Sequence, residues 1–459
     1  MKPGNILLWV IGALVCLKLI LLLNPAAVWW DSGIYIGMGK ALFSGGISGY
    51  WEDLRPPLMG IMLGLPWRLG LDPLAFAAVF YTGLFALNLW LAYKCGSRIF
   101  DERIGLLAAV LLAATPLFFD YSAVPLSESP SITFALIAIL LYLGKSTLFP
   151  AGIFAGLAFL TRFPQGMIIA AMSLSLFFRP SKNILKEEAL LLAGFLLVVG
   201  PYLGFNYFHY GNPVQPLILA GEVIKEYSWL YDLGPAYYLH SIAKESALFI
   251  FSILGIYLFL SRQKNHRGFA ALVAMVLIFI YFTLLQHKEA RFMLILLPYL
   301  CIFASAGIVM AVSRLKPAQL KTIFAIIVSV VIAAMLIRGI FGNFGGDKNP
   351  TAEEFYNYPR QNNLTGIILG TNPAIMAYAD NKFEKLGDWY RAPKVLAAFR
   401  SQEPILAIES CQYPAQPEDA AFLAARDSFL SDVSRQGRLL YNITVNGCFY
   451  SIYKFTSLS

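Results

Sequence analysis

Trp29-Trp30-Asp31-Ser32-Gly33-Ile34-Tyr35 and, further on, Arg55-Pro56-Pro57-Leu58 are the stretches on which the reading of this chain turns. The first follows an apolar run from Ile6 to Leu23 and is the first place where the chain stops resembling hydrocarbon. A carboxylate beside two tryptophans at the mouth of such a segment is either an ordinary interfacial residue or a catalytic group held at the lipid surface. The remainder of the chain decides between them.

Composition points to a membrane protein. Of 459 residues, 58% are hydrophobic and 14% charged, where soluble domains carry about 25% charged residues. A helix needs about 20 apolar residues to cross a bilayer. By that measure the candidate spans are 5–23, 74–93, 103–119, 128–144, 148–161, 164–178, 188–206, 246–261, 268–285, 292–312 and 320–339. The fold expected is a polytopic α-helical membrane protein of about eleven spans. Thr161-Arg162-Phe163-Pro164 separates two short runs, which read as two tilted spans or as one broken helix. The first run lacks a small-residue cleavage site and reads as a retained helix.

A net charge of +8 could suit nucleic acid, but the basic residues fall in short clusters between apolar runs. Lys94, Arg98 and Arg103, then Lys145, then Arg179, Lys182 and Lys186 occupy alternate loops, as do Arg262, Lys264 and Arg267, then Arg314, Lys316 and Lys321. This is the positive-inside pattern, and no nucleic-acid partner is expected. It puts the N-terminus in the cytoplasm. Asp31, Glu52, Asp53, Asp120, Glu128, Glu222, Asp232 and Glu289 then lie outside, with the tail after Phe341.

The expected division is a membrane domain over 1–341 and an exterior soluble α/β domain over 342–459. Exterior loop 24–73 has a helical pattern over Ser32–Phe43 and a semi-apolar Leu58–Leu71 suited to the interface. Loop 207–245, rich in Tyr, Gly and Pro, is a candidate lid. In the tail, Leu364–Gly370 and Pro404–Glu409 read as strands, and 373–380 and 417–435 as helices. Leu439–Val445 and Cys448–Lys454 flank Asn446-Gly447, a hairpin signal. Cys411 and Cys448 can pair if that domain meets an oxidising compartment.

Ionisable groups near membrane depth are functional candidates by default. They cluster at Asp31, at Glu52-Asp53-Leu54-Arg55, at Asp120 through Glu128, at Arg162 and at His287-Lys288-Glu289-Ala290-Arg291. The topology puts these at exterior helix ends, where they can converge on one cavity. Cations in a dry site stabilise a phosphate that gains charge as it departs. A carboxylate opposite can take a hydroxyl proton.

At these residues the chain resembles the C-type integral-membrane glycosyltransferases, in the protein O-mannosyltransferase and aminoarabinose transferase branch. The resemblance rests on Asp31-Ser-Gly-Ile-Tyr35, Arg55-Pro56-Pro57-Leu58, Ala-Thr-Pro-Leu-Phe at 114–118, Glu128 and Gly-Leu-Ala-Phe-Leu-Thr-Arg at 156–162. His-Lys-Glu-Ala-Arg-Phe at 287–292 is similar to a motif of the related lipid-linked mannosyltransferases. Together these cover about residues 1–312. The resemblance implies a polyprenyl-phosphate-linked sugar as donor, a lipid, glycan or protein hydroxyl as acceptor, and inversion at the anomeric carbon. It implies Asp31 as base and Arg55, Lys288 and Arg291 around the donor phosphate. Glu128 joins Asp31 as a catalytic candidate, Arg162 and His287 join the phosphate group, and Tyr35 and Trp30 are substrate-binding candidates. Relatives carry Asp-Glu where this chain has Asp31-Ser32, which leaves substrate identity open.

Each assignment has a plainer rival. Asp31 can cap the helix Ser32–Phe43, and Glu128 can cap the fourth span. Arg55 can bridge to Glu52, Trp29-Trp30 can anchor the interface, and residues 287–291 can be a charged turn with snorkelling side chains. Glu52 and Asp53 offer oxygen ligands to a divalent metal or are simply solvated. A flippase for lipid-linked saccharides would want similar cations, together with inverted repeats and broken helices at midplane.

Overall fold

The computed structural model describes residues 2–21, 28–144, 147–178, 183–226, 230, 232–262, 266–342, 350–411 and 419–456. Lys145, Arg179, Lys182 and Lys264 of the basic loops lie outside them. In chain order the helices are α1 (Pro3–Leu21), α2 (Trp30–Ser44), α3 (Leu58–Arg68), α4 (Pro73–Ile99), α5 (Glu102–Ala114), α6 (Pro116–Tyr121) and α7 (Glu128–Tyr142). Then come α8 (Leu148–Thr161), α9 (Gly166–Phe177), α10 (Ile184–Tyr210), α11 (Gln215–Glu226), α12 (Tyr237–Glu245) and α13 (Phe251–Arg262). The last are α14 (Phe269–Leu284), α15 (Leu297–Arg314), α16 (Ala318–Phe341), α17 (Pro350–Gln361), α18 (Ala392–Phe399) and α19 (Ala420–Gln436).

Among the described residues the apolar runs are mainly helical, and six helices, against about eleven expected spans, are long and apolar enough to cross a bilayer by themselves. A seventh arises only if α12 and the segment Ala247–Ser261, bent by 117°, count as one. The segments 128–142, 148–161 and 163–177 are shorter apolar helices. The third expected span is broken where Thr115 adopts an extended ψ of 116° ahead of Pro116, the conformation that a following proline enforces.

By contact the chain forms two units. The first comprises Met1–Pro25, Asp53–Leu58 and Ala78–Gly345; the second comprises Ala26–Glu52, Met59–Ala77 and Gly346–Ser459. The expected boundary after Phe341 follows the chain, whereas this division also takes most of loop 24–73 into the second unit.

The first unit is a helical bundle around Phe85, Leu111, Phe118, Leu136, Ile139 and Phe303. Two helix pairs approach backbone to backbone through glycine: α8 with α10 at Gly152 and Gly194, and α13 with α15 at Gly255 and Gly307. Small residues permit this close dispersion contact where lipid supplies no hydrophobic drive. The C-terminal end of α7 is tied by cations. Arg98 Nη1 donates to Leu140 O at 3.0 Å and Arg267 Nη1 to Tyr142 O at 3.0 Å. Arg267 is thus a buried tie rather than a solvated loop charge.

The second unit holds a five-stranded sheet ordered β2-β1-β3-β5-β4, with β1 Ile368–Gly370, β2 Phe383–Lys385, β3 Ile405–Glu409, β4 Arg438–Val445 and β5 Cys448–Lys454. The first three are parallel and the hairpin is antiparallel. Asn446 and Gly447 have φ of 51° and 79°, as a type I′ turn requires. Cys411 and Cys448 are bonded, with Cα atoms 5.5 Å apart. Two expectations need correction. Residues 373–380 form a 3-10 turn over Pro373–Ala377, capped by the Asn372 side chain on Ala374 N. The strand expected from Leu364 starts at Ile368, because Gly366 turns at φ 111°.

Helix α2 lies against that 3-10 turn. Gly33 faces the backbone of Pro373 and Ala374, Gly37 faces Met376, and Gly39 meets Gly64 of α3. The buried Lys40 donates to Ala379 O at 2.9 Å and pairs with Asp380 at 2.8 Å, and Trp67 Nε1 donates to the same carboxylate at 3.0 Å.

Candidate functional site

In the first unit, charges gather around Phe292. Glu128 lies in the first turn of α7, behind Ser127 at the N-cap, where the helix dipole favours its charge, although neither carboxylate oxygen accepts a hydrogen bond within the described residues. It pairs with Arg162 Nη1 at 3.1 Å, with side-chain exposures of 3% and 13%. The same Arg162 nitrogen donates to Ser127 Oγ at 3.0 Å. Arg162 is presented there because α8 ends at Thr161 and a 3-10 turn over Phe163–Gln165 intervenes before α9. Pro164, lacking an N–H, cannot continue the ladder. The broken-helix motif is therefore a device that turns a guanidinium inward.

Phe292 lies under that guanidinium at 5.2 Å and under Arg291 at 5.7 Å, and stacks with His287 at 5.7 Å. Glu289 accepts from Arg291 Nε at 2.6 Å and Nη2 at 2.9 Å, and meets His287 Nε2 at 2.7 Å. The backbone of His287 forms an isolated antiparallel bridge with that of Asp232, so loop 207–245, which carries α11 and α12, reaches the cation motif. Lys288 differs from its neighbours. It is buried at 5% exposure, and its ammonium donates to Leu285 O at 2.6 Å. Among the described residues it has no carboxylate partner. Glu128 thus pairs with Arg162 and Glu289 with Arg291, while Lys288 has only a backbone acceptor among the described residues. A cavity of about 210 Å³ adjoins this motif at Ala290 and Met293, and His240, Lys244 and Glu245 of α12 line it.

In the second unit, α2 starts at Trp30 with Trp29 as N-cap. Asp31 therefore sits in the first turn instead of capping a helix from Ser32. Trp30 and Tyr50 both lie near Lys385, whose Nζ is 5.4 Å and 5.5 Å from their rings. Lys385 forms an ion pair with buried Glu52. Tyr35, a substrate-binding candidate by sequence, is packed inside at 4% exposure.

Among the described residues, no group of three His, Cys, Asp or Glu is placed to hold a metal ion. Glu52 turns to Lys385, while Asp53, in the first unit, accepts from Tyr210 Oη at 2.7 Å. Arg55 is half-buried. Sequence reasoning missed Phe292 as the common ring and Lys385 altogether. Phe292 was legible as the end of a charged motif; Lys385, in a three-residue Phe-Glu-Lys strand, carries no signal.

A model of the Alg9-like mannosyltransferase family matches residues 69–361. Glu128, Arg162 and 287–292 fall inside the match; Asp31 and Arg55 precede it. No curated protein sequence matches significantly. The fold is similar to that of ArnT from Cupriavidus metallidurans bound to undecaprenyl phosphate, at 12% identity over 99% of this chain and 98% of that one, with a TM-score of 0.67. The archaeal oligosaccharyltransferase AglB from Archaeoglobus fulgidus, in complex with an inhibitory peptide and a dolichol-phosphate, gives 14% identity over 97% of this chain and 74% of its own, with a TM-score of 0.60. Arabinofuranosyltransferase AftD from Mycobacteria gives 12% identity over 98% and 41%, with a TM-score of 0.54.

Proposed function

This chain belongs to the Alg9-like mannosyltransferase family, multi-pass membrane glycosyltransferases of the C type, and on that premise we propose that it moves a sugar from a polyprenyl-phosphate donor to a hydroxyl acceptor. The observation that carries the reading is Lys288. Among the described residues its buried ammonium meets only the Leu285 carbonyl, and a buried charge left so is costly until an anion joins it. A lipid phosphate supplies that anion, and Arg291, held by Glu289 through its Nε and Nη2, adds a guanidinium charge beside it. Undecaprenyl phosphate bound to ArnT and dolichol-phosphate bound to AglB are ligands of this kind.

The phosphate cations in this reading are Lys288 and Arg291 with Arg55, and Asp31 is the base. The acceptor O–H proton goes to the Asp31 carboxylate as the acceptor oxygen bonds to the anomeric carbon. The bond from that carbon to the phosphate oxygen breaks, its electron pair stays on the phosphate, and the configuration inverts. Glu128 holds Arg162 in place. The distribution of basic residues supports an extracytoplasmic side for this chemistry, and the Cys411–Cys448 bond supports an oxidising surround for the second unit.

The test is binding and turnover in parallel. Asp31→Asn abolishes transfer and leaves undecaprenyl phosphate binding intact. Lys288→Met weakens that binding about tenfold or more, as loss of a charge-assisted hydrogen bond implies. Native transfer by Asp31→Asn removes the base, and native binding by Lys288→Met removes the phosphate site.

A further inference from the structure

We propose that Trp30, Tyr50, Glu52 and Lys385 form a subsite for a pyranose ring, next in the chain to Asp31. All four belong to the second unit. Lys385 comes from the edge strand β2, and its position is fixed from several sides. Glu52 holds the ammonium, and the Trp30 and Tyr50 rings flank it. Tyr50 packs edge-on against Phe383 at 6.1 Å. The backbone before it is stitched to β2, with Gly49 N donating to Asn381 O at 2.9 Å and Phe383 N to Gly49 O at 2.9 Å. An edge-strand lysine ordinarily extends into water. Here its side chain is 25% exposed and its partner's 6%, so the pair is sheltered but reachable.

The pairing selects the ligand class. Glu52 opposes a phosphate and Lys385 opposes a cation. Glu52 only accepts hydrogen bonds and Lys385 only donates them. Adjacent sugar hydroxyls, each both donor and acceptor, satisfy the two at once, while the C–H face of the ring lies on half-buried aromatic surface. The ring is that of the donor or of the acceptor. The donor alternative rests on the polyprenyl-phosphate reading above; the acceptor alternative does not.

The experiment measures binding to the full-length chain in detergent, with undecaprenyl-phosphate mannose against bare undecaprenyl phosphate in one arm and methyl α-mannopyranoside in the other. If the ring is the donor's, the native protein prefers the sugar-bearing lipid by about tenfold or more. Lys385→Met and Glu52→Gln then bring the two lipids to within about twofold without weakening the bare one. If the variants spare that preference but lose the methyl mannoside, the ring is the acceptor's. If both variants keep both affinities, or the native protein shows neither a sugar preference nor mannoside binding, the subsite is refuted. Failure of either lipid to bind the native protein, with mannoside binding intact and lost in the variants, refutes the polyprenyl-phosphate donor and keeps the subsite. Should Lys385→Met not fold, the isosteric Glu52→Gln carries the test.

Discussion

A single methyl group at Gly33 tests whether the seating of α2 governs the chemistry. A Cβ there would lie 2.6 Å from both Cα and N of Ala374 and closer still to the Pro373 carbonyl oxygen, where ordinary contact begins at 3.4 Å. These are backbone atoms of a capped 3-10 turn and cannot swing aside. Gly33→Ala therefore drives the start of α2, with Asp31 two residues away, back by about 1 Å, a misplacement of the size that costs on the order of 100-fold in rate. Gly37→Ala is the matched comparison. Its new methyl meets the Sδ and Cε of Met376, the far end of a flexible side chain that re-rotates cheaply. Transfer from undecaprenyl-phosphate mannose should fall about 100-fold for Gly33→Ala and less than about threefold for Gly37→Ala, with undecaprenyl phosphate binding unchanged in both. Equal activities would show that the position of α2 against residues 373–377 does not control the reaction.

Other expectations follow from pairs already described. Glu128→Gln leaves Arg162 buried without its counter-charge and should cost about 3–5 kcal/mol of stability, with Glu128→Gln/Arg162→Met recovering most of it in a detergent melt. Burial by itself raises the Asp380 carboxyl, but the charge and hydrogen bond of Lys40, with the Trp67 N–H, outweigh it and hold it below the usual range. A depressed folded value means a contribution that is full above the unfolded carboxylate value, about 3.9, and lost as pH falls through the folded one. Melting temperature should thus drop more steeply below about pH 4 in the native protein than in Asp380→Asn. Cys411 and Cys448 should resist alkylation on intact cells until reductant is added; labelling without reductant would show the bond absent.

How much of this was legible depended on the range of the interaction. Apolar runs write their own helices, though not where those helices break, and Asn446-Gly447 announces its turn because the dipeptide alone meets the φ requirement. Glu128, Arg162 and 287–291 were legible as charges where charge is costly. Their mutual pairing was not, since nothing local links Arg162 to Glu128. Lys385 and Tyr50 were invisible for the same reason, and β2 and α18, of three and eight residues, were too short to stand out. The cap reading of Asp31 failed by a smaller margin: a tryptophan at the N-cap, with no side-chain hydrogen bond, is a start signal that sequence rules do not anticipate.

The union of α2 with the tail also orders events in time. Lys40 and the carbonyl it grips at Ala379 are 339 residues apart, so at 5–20 residues per second about 20 to 70 s of translation separate them. Throughout that interval the helix bearing Asp31 has been made but has nothing to dock on. A nascent or truncated chain can fill the bilayer and still lack the surface on which α2 docks, so the last hundred residues decide when Asp31 is fixed in place.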